Sequence, residues 1–124
     1  SMIPTPRAVK NWYRPGATAR EVAWIWTMYA ADVRACSTDP ACHPLARGSF
    51  KGLPPAVLFG ATLDAIGGDV EDYHAALKRD GVASELTMWR GSHYSLLHVE
   101  YQRDMRSKIY AAMRALGAEL GVTF

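Results

Sequence analysis

Apolar residues along the chain are spaced in patterns that predict five regular elements. Residues 18–21, with the sequence Thr-Ala-Arg-Glu, form a capping-box pattern, and the apolar positions after them favour a helix to about Val33. Repeated proline and glycine predict a loop over residues 36–55. The continuous apolar run Ala56–Gly60 then indicates a strand that is buried on both faces, as in a parallel sheet.

The second half of the chain continues this alternation. A Gly-Gly pair at residues 67–68 precedes a helical pattern that ends near Asp80, and residues 84–89 favour a second strand. A final helix is predicted over about residues 99–116 or beyond. Residues 56–89 are therefore predicted to form one βαβ unit, in which a right-handed crossover joins two parallel strands.

The order helix-strand-helix-strand-helix is typical of the α/β class. The 124 residues are enough for one domain, which begins with a proline-rich and basic irregular lead-in over residues 1–16. Two parallel strands do not make a stable sheet alone, because such sheets need covered faces and neighbours at their edges. The apolar content of 49% is also high for so short a chain. Residues 1–124 are therefore predicted to form a partial domain with apolar surface for a partner.

Charge and hydropathy argue against two classes of partner. The formal net charge is +2, both signs are spread along the chain, and no basic run suggests binding to nucleic acid. No apolar stretch approaches the roughly 18 residues of a membrane-spanning helix, and the N-terminus lacks the pattern of a signal peptide. We therefore expect a cytoplasmic protein that binds neither membranes nor nucleic acids.

Cys36 and Cys42 leave two readings open. They lie six positions apart and could pair, but two reduced thiols are the favoured expectation for a cytoplasmic protein. The neighbouring residues Cys42 and His43 lack the second pair of ligands that a zinc site requires, so no metal site is predicted.

Asp64 and His93 each lie four positions past a predicted strand. Functional side chains gather at the carboxyl ends of parallel strands, and adjacent strands are only ~4.8 Å apart, so the two side chains could meet. An acid followed by a histidine is the second half of the order Ser…Asp…His, in which the acid orients the imidazole that takes the serine proton. The alternative is that Asp64 caps the following helix and His93 is an ordinary loop residue.

Four stretches of the sequence resemble the hormone-sensitive-lipase family of α/β-hydrolases, which are serine esterases. The resemblance rests on the aromatic residues 21–29, the Asp-Pro then Pro-Leu loop at 39–45, the strand entry at 52–56, and Asp64 followed by Glu71 and Tyr73. It runs from about residue 20 to the end of the chain. It implies the C-terminal portion of an α/β-hydrolase fold, with Asp64 and His93 as the acid and base of a Ser-His-Asp triad.

The chain departs from the family pattern near both of these residues. Ala65 replaces the usual proline, the glycines at 67–68 replace a charged pair, and the loop before His93 is one residue shorter. No Gly-x-Ser-x-Gly occurs in the sequence, and the glycine-rich oxyanion segment of the family is also missing. Since these groups supply the nucleophile and the oxyanion stabilisation, this chain alone is expected to be inactive.

Two aromatic residues are candidates for substrate contact. Trp24 lies on the first predicted helix, whose counterpart in the family is near the substrate, and the alternative for it is core packing. Tyr94 follows His93 and could flank the acyl or alcohol group. Two further histidines have simpler interpretations: His74 is expected on a solvated helix face, and His98 at the surface.

The resemblance implies a carboxylic-ester hydrolase that acts on small esters with short or medium acyl groups and needs no metal or cofactor. In that case, this chain is a C-terminal fragment that supplies the acid and base. An alternative is a non-catalytic hydrolase-fold remnant that self-associates or binds a partner. A third hypothesis is a complementing half that joins a separate N-terminal chain. A homo-oligomer, or association with an N-terminal half, would cover the open sheet.

Overall fold

The computed structural model describes residues 18–121, so the predicted lead-in over residues 1–16 lies outside the described residues. The helices are α1 (Ala19–Tyr29), α2 (Val33–Cys36), α3 (Gly67–Arg79) and α4 (Val99–Glu119), and the strands are β1 (Ala56–Ala61) and β2 (Ser84–Trp89). Two 3-10 helices lie at Pro44–Ala46 and His93–Leu97. The chain divides into two compact units between His93 and Tyr94. The order of elements confirms the predicted α/β arrangement.

The first predicted helix ends at Tyr29 rather than at about Val33. Its predicted start is confirmed: the Thr18 hydroxyl accepts a hydrogen bond from the Glu21 amide, and the Glu21 carboxylate accepts one from the Thr18 amide. The backbone is extended directly after Tyr29. The Asp32 carboxylate then accepts two amide hydrogen bonds and begins the short helix α2. A side chain that caps a new helix competes with continuation of the old one.

The two strands pair in parallel, as the βαβ pattern predicts. The register aligns Ala56 with Ser84 and Ala61 with Trp89. Helix α3 joins the strands and packs against both of them. The carboxyl ends of β1 and β2 therefore lie side by side, and the loops that follow them can meet.

Phe50 and Leu77 are the most deeply buried large side chains of the core. The Phe50 ring packs edge-on against Tyr73, with ring centroids 5.4 Å apart, and the Phe50 amide donates a hydrogen bond to the Asp80 carboxylate. The hydrogen bond from Arg79, followed by the one from Phe50, lowers the pKa of Asp80 to about 2. The segment that leads into β1 is thereby fixed to the end of α3.

The sheet is more exposed than the apolar run Ala56–Gly60 predicts. All six residues of β1 are half-buried. Leu58 packs against the core, and a Cβ on Gly60 would meet side chains of β2 and α3, so α3 covers this face. The other face carries Phe59 and Trp89, whose ring centroids are 5.2 Å apart. The prediction of a strand buried on both faces is wrong here, because α3 is the helix that packs on the sheet within the described residues.

The second unit contains α4, which extends beyond Leu116 as predicted and ends at Glu119. Asp104 and Lys108 form an ion pair on this helix, with 2.8 Å between the carboxylate and the ammonium group. None of the helices within residues 18–121 is long and apolar enough to cross a membrane.

Candidate active site

Asp64 lies in a tightly wound loop directly after β1. Its amide donates a hydrogen bond to the carbonyl of Ala61 (3.2 Å), and its carboxylate Oδ1 accepts one from the amide of Ile66 (3.0 Å). The residue is 8% exposed. One carboxylate oxygen is thus held by the loop itself, and Oδ2 is left for a partner on the neighbouring loop.

Gly67 allows the Asp64 loop to close against the start of α3. Its amide donates a hydrogen bond to the Asp64 carbonyl (3.2 Å). A Cβ at this position would overlap with the carbonyl oxygen of Ala61 and lie 3.5 Å from the Cβ of Asp64. A larger residue would therefore have to push α3 away from the end of β1. The glycine that departs from the family pattern is part of the geometry that holds Asp64.

Two backbone hydrogen bonds continue the sheet beyond the ends of its strands. The amide of Thr62 donates to the carbonyl of Trp89 (2.7 Å), and the amide of Leu63 donates to the carbonyl of Gly91 (2.9 Å). The loop that carries Asp64 is therefore tied directly to the loop that leads to His93.

The side chains of Asp64 and His93 meet across these two loops. The Nδ1 atom of His93 lies 2.8 Å from Oδ2 of Asp64, a distance typical of a charge-assisted hydrogen bond. The Asp64 side chain is 10% exposed and the His93 side chain 40% exposed, so the acid is shielded while the imidazole reaches the surface. The structure brings the two residues together as predicted, and their catalytic roles stay a prediction.

This arrangement is suited to general-base chemistry. With Asp64 ionised, Nδ1 of His93 carries the ring proton and Nε2 carries a lone pair. The carboxylate fixes this tautomer and stabilises the imidazolium that forms when Nε2 takes a proton. Within residues 18–121, no cluster of three or more His, Cys, Asp or Glu side chains could hold a metal ion.

The two predicted substrate-contact residues are both exposed. Trp24 exposes 62% of its surface on α1, and both interpretations of it, substrate contact and core packing, stay predictions. Tyr94 is 54% exposed and follows His93 in the chain. Trp24 belongs to the first compact unit and Tyr94 to the second. Contact of either residue with a substrate stays a prediction.

His74 is not the solvated residue that its acidic neighbours suggest. It is half-buried, and its Nδ1 atom lies 2.9 Å from the Oγ atom of Ser84. This hydrogen bond joins the middle of α3 to the amino end of β2. Sequence spacing did not indicate it, because the contact depends on how α3 packs on the strand. His98 is exposed, as expected.

Cys36 and Cys42 form a disulfide, so the favoured expectation of two reduced thiols is wrong for this structure. Their Cα atoms are 5.3 Å apart, within the usual range for a bridge. The chain between them turns tightly around Asp39, whose carbonyl accepts hydrogen bonds from the amides of Cys42 (3.0 Å) and His43 (2.8 Å). Spacing alone could not decide the pairing, because it depends on these turns.

The ties that position the acid and base are mostly backbone contacts, and the sequence did not reveal them. The bonds from Thr62 and Leu63 use main-chain N–H and C=O groups that every residue except proline has, so no particular residue type signals them. Gly67 is the exception. A glycine three positions after the acid was a usable sign of close backbone approach.

A family model of the α/β-hydrolase fold matches residues 3–98. The chain belongs to the α/β-hydrolase family. The hydrolase has a curated relative in the carboxylic ester hydrolase LipN of Mycobacterium tuberculosis, with 35% identity over 69 residues. That match covers 56% of this chain but only 18% of LipN.

Solved esterase structures share the fold of this hydrolase. Esterase LipW from Mycobacterium marinum superposes with a TM-score of 0.76 at 20% identity, over 95% of this chain and 37% of LipW. A thermostable esterase from Pseudomonas putida has 30% identity and a TM-score of 0.60, over 84% of this chain and 33% of that esterase. The family model and the LipN match place the chain in a hormone-sensitive-lipase-like family of α/β-hydrolases, and the chain spans only a minor part of the length of these relatives.

Proposed function

We propose that this chain supplies the acid and the base of a Ser-His-Asp triad to a carboxylic-ester hydrolase. The main support is the 2.8 Å contact between Nδ1 of His93 and Oδ2 of Asp64, at the carboxyl ends of two parallel strands. A carboxylate-oriented imidazole in this position fits the Ser…Asp…His order of α/β-hydrolases. The likeness to LipN, which is named a carboxylic ester hydrolase, supports the same reaction class.

In the proposed reaction, His93 acts first as a base and then as an acid. Its Nε2 atom takes the proton of a serine hydroxyl while the serine oxygen attacks the ester carbonyl, and it then gives this proton to the departing alkoxide. A water molecule releases the acyl group by the same two proton transfers. Asp64 stays ionised throughout and stabilises the imidazolium. The serine and the oxyanion donors come from residues outside this sequence.

The proposed substrates are small esters with short or medium acyl groups. Trp24 and Tyr94 are the proposed contacts for the acyl or alcohol group, and both residues are exposed in this chain. Aromatic side chains suit this task because they bury a large apolar area with few rotatable bonds. The proposed mechanism proceeds through protein side chains and water alone.

The test compares this chain with the complete protein encoded by the same gene, using hydrolysis of p-nitrophenyl acetate and butyrate. We expect the complete protein to hydrolyse both esters, and His93→Ala to lower kcat by about 10⁶-fold. The control His98→Ala changes an exposed histidine outside the pair and should keep full activity. This chain alone should show no turnover that depends on His93. Undiminished hydrolysis by the complete His93→Ala protein would contradict the proposal.

A second candidate function is association through α1. This helix exposes Trp24, Ile25, Met28 and Tyr29, and clustered apolar surface of this kind marks contact sites. Because the chain spans 33% to 37% of two structural neighbours, the favoured partner is the remainder of a hydrolase domain, and a second copy is the alternative. The mass of this chain in solution, measured by light scattering, tests the alternative of a second copy. A 13.7 kDa monomer in solution contradicts self-association, and an oligomer that Trp24→Glu dissociates supports it.

A further inference from the structure

We propose that the Cys36–Cys42 disulfide is a site of reversible thiol–disulfide exchange that controls the order of residues 33–43. The bridge, a cavity beside it and the hydrogen bonds of this segment carry the inference. It does not depend on the proposed hydrolase function, since Asp64 and His93 take no part in it.

A surface cavity of about 510 Å³ gives access to the bridge. Both cysteines line it, together with Tyr29, Asp32 and Asp39 and three alanines. Cys36 is 5% exposed, whereas Cys42 is half-buried. Because Cys42 is the more exposed of the two residues, its sulfur is the atom that an incoming thiolate attacks in the proposed exchange, and Cys36 is the leaving group.

Local turns hold the two cysteines near each other independently of the bridge. The hydrogen bonds of residues 32–43 join positions at most four apart, as from the Cys42 amide to the Asp39 carbonyl (3.0 Å) or from the Ala41 amide to the Asp39 carboxylate (2.9 Å). Reduced thiols on this framework stay close, which favours closure of the bridge again. The covalent tie across six positions is also the longest-range link in the segment. Once the bridge is lost, the hydrogen bonds that remain within the segment join near neighbours.

The co-reactant of the proposed exchange is a dithiol. Its thiolate attacks the sulfur of Cys42, a mixed disulfide forms, and Cys36 leaves as a thiolate. The second thiol of the reductant then attacks the first sulfur of the reductant, which is bonded to Cys42 in the mixed disulfide. This step releases Cys42. Two electrons pass to the protein, the dithiol leaves as a disulfide, and the two protons of the dithiol balance the two cysteine thiols. Closure is the reverse reaction with an oxidised dithiol.

Carboxylates beside the bridge favour some reductants over others. Asp32 and Asp39 line the same cavity as both sulfur atoms. Their negative charge disfavours the approach of glutathione, which carries a net negative charge besides its thiolate, relative to the uncharged dithiol dithiothreitol. The site should therefore exchange with neutral dithiols more readily than with glutathione.

Thiol titration and hydrogen exchange on this 124-residue chain test the proposal. Without reductant, the native protein should have no free thiol; dithiothreitol should release two thiols without denaturant and add the mass of two hydrogen atoms. Amide exchange in residues 33–43 should then rise on the order of tenfold, while exchange in β1 and β2 stays the same. The variant Cys36→Ser/Cys42→Ser should have the amide exchange of the reduced protein, and dithiothreitol should not change it.

Three results would overturn the proposal. Free thiols in the air-equilibrated protein would show that no bridge forms. A bridge that is reduced only after denaturation would be a structural disulfide and not an exchange site. An equal rise of exchange in the strands would show that the effect is not local. The charge argument has its own check: Asp39→Asn should speed reduction by glutathione about threefold relative to dithiothreitol, and an unchanged ratio contradicts it.

Discussion

The two ends of the sheet each hold a histidine with a hydrogen bond at Nδ1. At the carboxyl end, His93 meets the carboxylate of Asp64 at 2.8 Å. Toward the amino end, His74 meets the hydroxyl of Ser84 at 2.9 Å. The distances are nearly equal, but the partners differ. A carboxylate stabilises the positive charge that an imidazole gains when it takes a proton, whereas a hydroxyl carries no charge to do so.

The surroundings of the two histidines differ as well. Asp64 is held by an amide of its own loop, and that loop is tied by one backbone bond to the end of β2 and by another to the loop of His93. Ser84 is the first residue of β2, and His74 lies in the middle of α3. The first pair is built at loops, where catalytic groups are commonly placed, and the second joins a helix to a strand. A histidine hydrogen bond therefore indicates catalysis only together with its partner and its place in the fold.

The largest expected difference between the pairs is in activity. In the complete protein, Asp64→Asn should lower kcat by about 10⁴-fold, because an amide group stabilises the wrong tautomer of His93. Ser84→Ala should leave kcat unchanged. Steady-state hydrolysis of p-nitrophenyl butyrate measures both. Equal losses in the two variants would show that the pairs do not differ in function.

Substitution of Gly67 should break only the Asp64–His93 pair. Gly67→Ala places a Cβ against the carbonyl of Ala61, and we expect the free energy of unfolding to fall by about 3 kcal/mol. The downfield Hδ1 proton signal of His93 should weaken, while the ring signals of His74 stay in place.

The matched control for this change is Gly48→Ala, because a Cβ on Gly48 meets nothing within 4 Å and its φ is not positive. Urea unfolding and proton NMR provide the two measurements. A Gly67→Ala protein with wild-type stability and an unchanged His93 signal would show that Gly67 does not help to position Asp64.

Ser84→Ala should have a smaller effect on stability. The variant leaves Nδ1 of the half-buried His74 without its hydroxyl partner, and a lost hydrogen bond of this kind costs about 1 kcal/mol. Urea unfolding measures the change, and Ser84→Thr, which keeps the hydroxyl, is the control. A loss of stability as large as that in Gly67→Ala would mean that the His74–Ser84 pair stabilises the fold by more than one hydrogen bond.

The smallest expected effect is the loss of the stability contributed by Asp80 at low pH. The pKa of Asp80 is lowered from 3.8 to about 2 by Arg79 and by the Phe50 amide. A lowered pKa in the folded state means that the contribution to stability is complete above pH 3.8 and is lost as the pH falls through about 2. Asp80→Asn should flatten this part of the stability profile, and Glu85→Gln, at an exposed position of β2, is the control. An identical profile in Asp80→Asn contradicts the assignment.

Much of the fold could be predicted because it depends on local patterns. The capping box of Thr18 and Glu21, the two strands and the βαβ connection are all present. The early end of α1 was missed because the cap at Asp32 competes with a helical pattern that continues through it. The exposure of β1 was missed because burial depends on what packs against a strand and not on its own residues.

The candidate site was likewise predictable only in part from the sequence. Asp64 and His93 could be found because strand order fixes where the loops after parallel strands lie. The contact of His74 with Ser84 and the bridge between Cys36 and Cys42 could not be found. Both depend on tertiary packing or on turn geometry, which residue spacing does not specify.

The backbone bonds from Thr62 to the end of β2 and from Leu63 to the loop after it have a consequence for protein engineering. The acid, the base, the strands that support them, the helix between those strands and the core residue Phe50 all lie in the continuous stretch 50–93. The distance between Asp64 and His93 is therefore encoded within a single portable module. Transplanted as one piece to the edge of another parallel sheet, this stretch should bring with it an imidazole that is already oriented by its carboxylate.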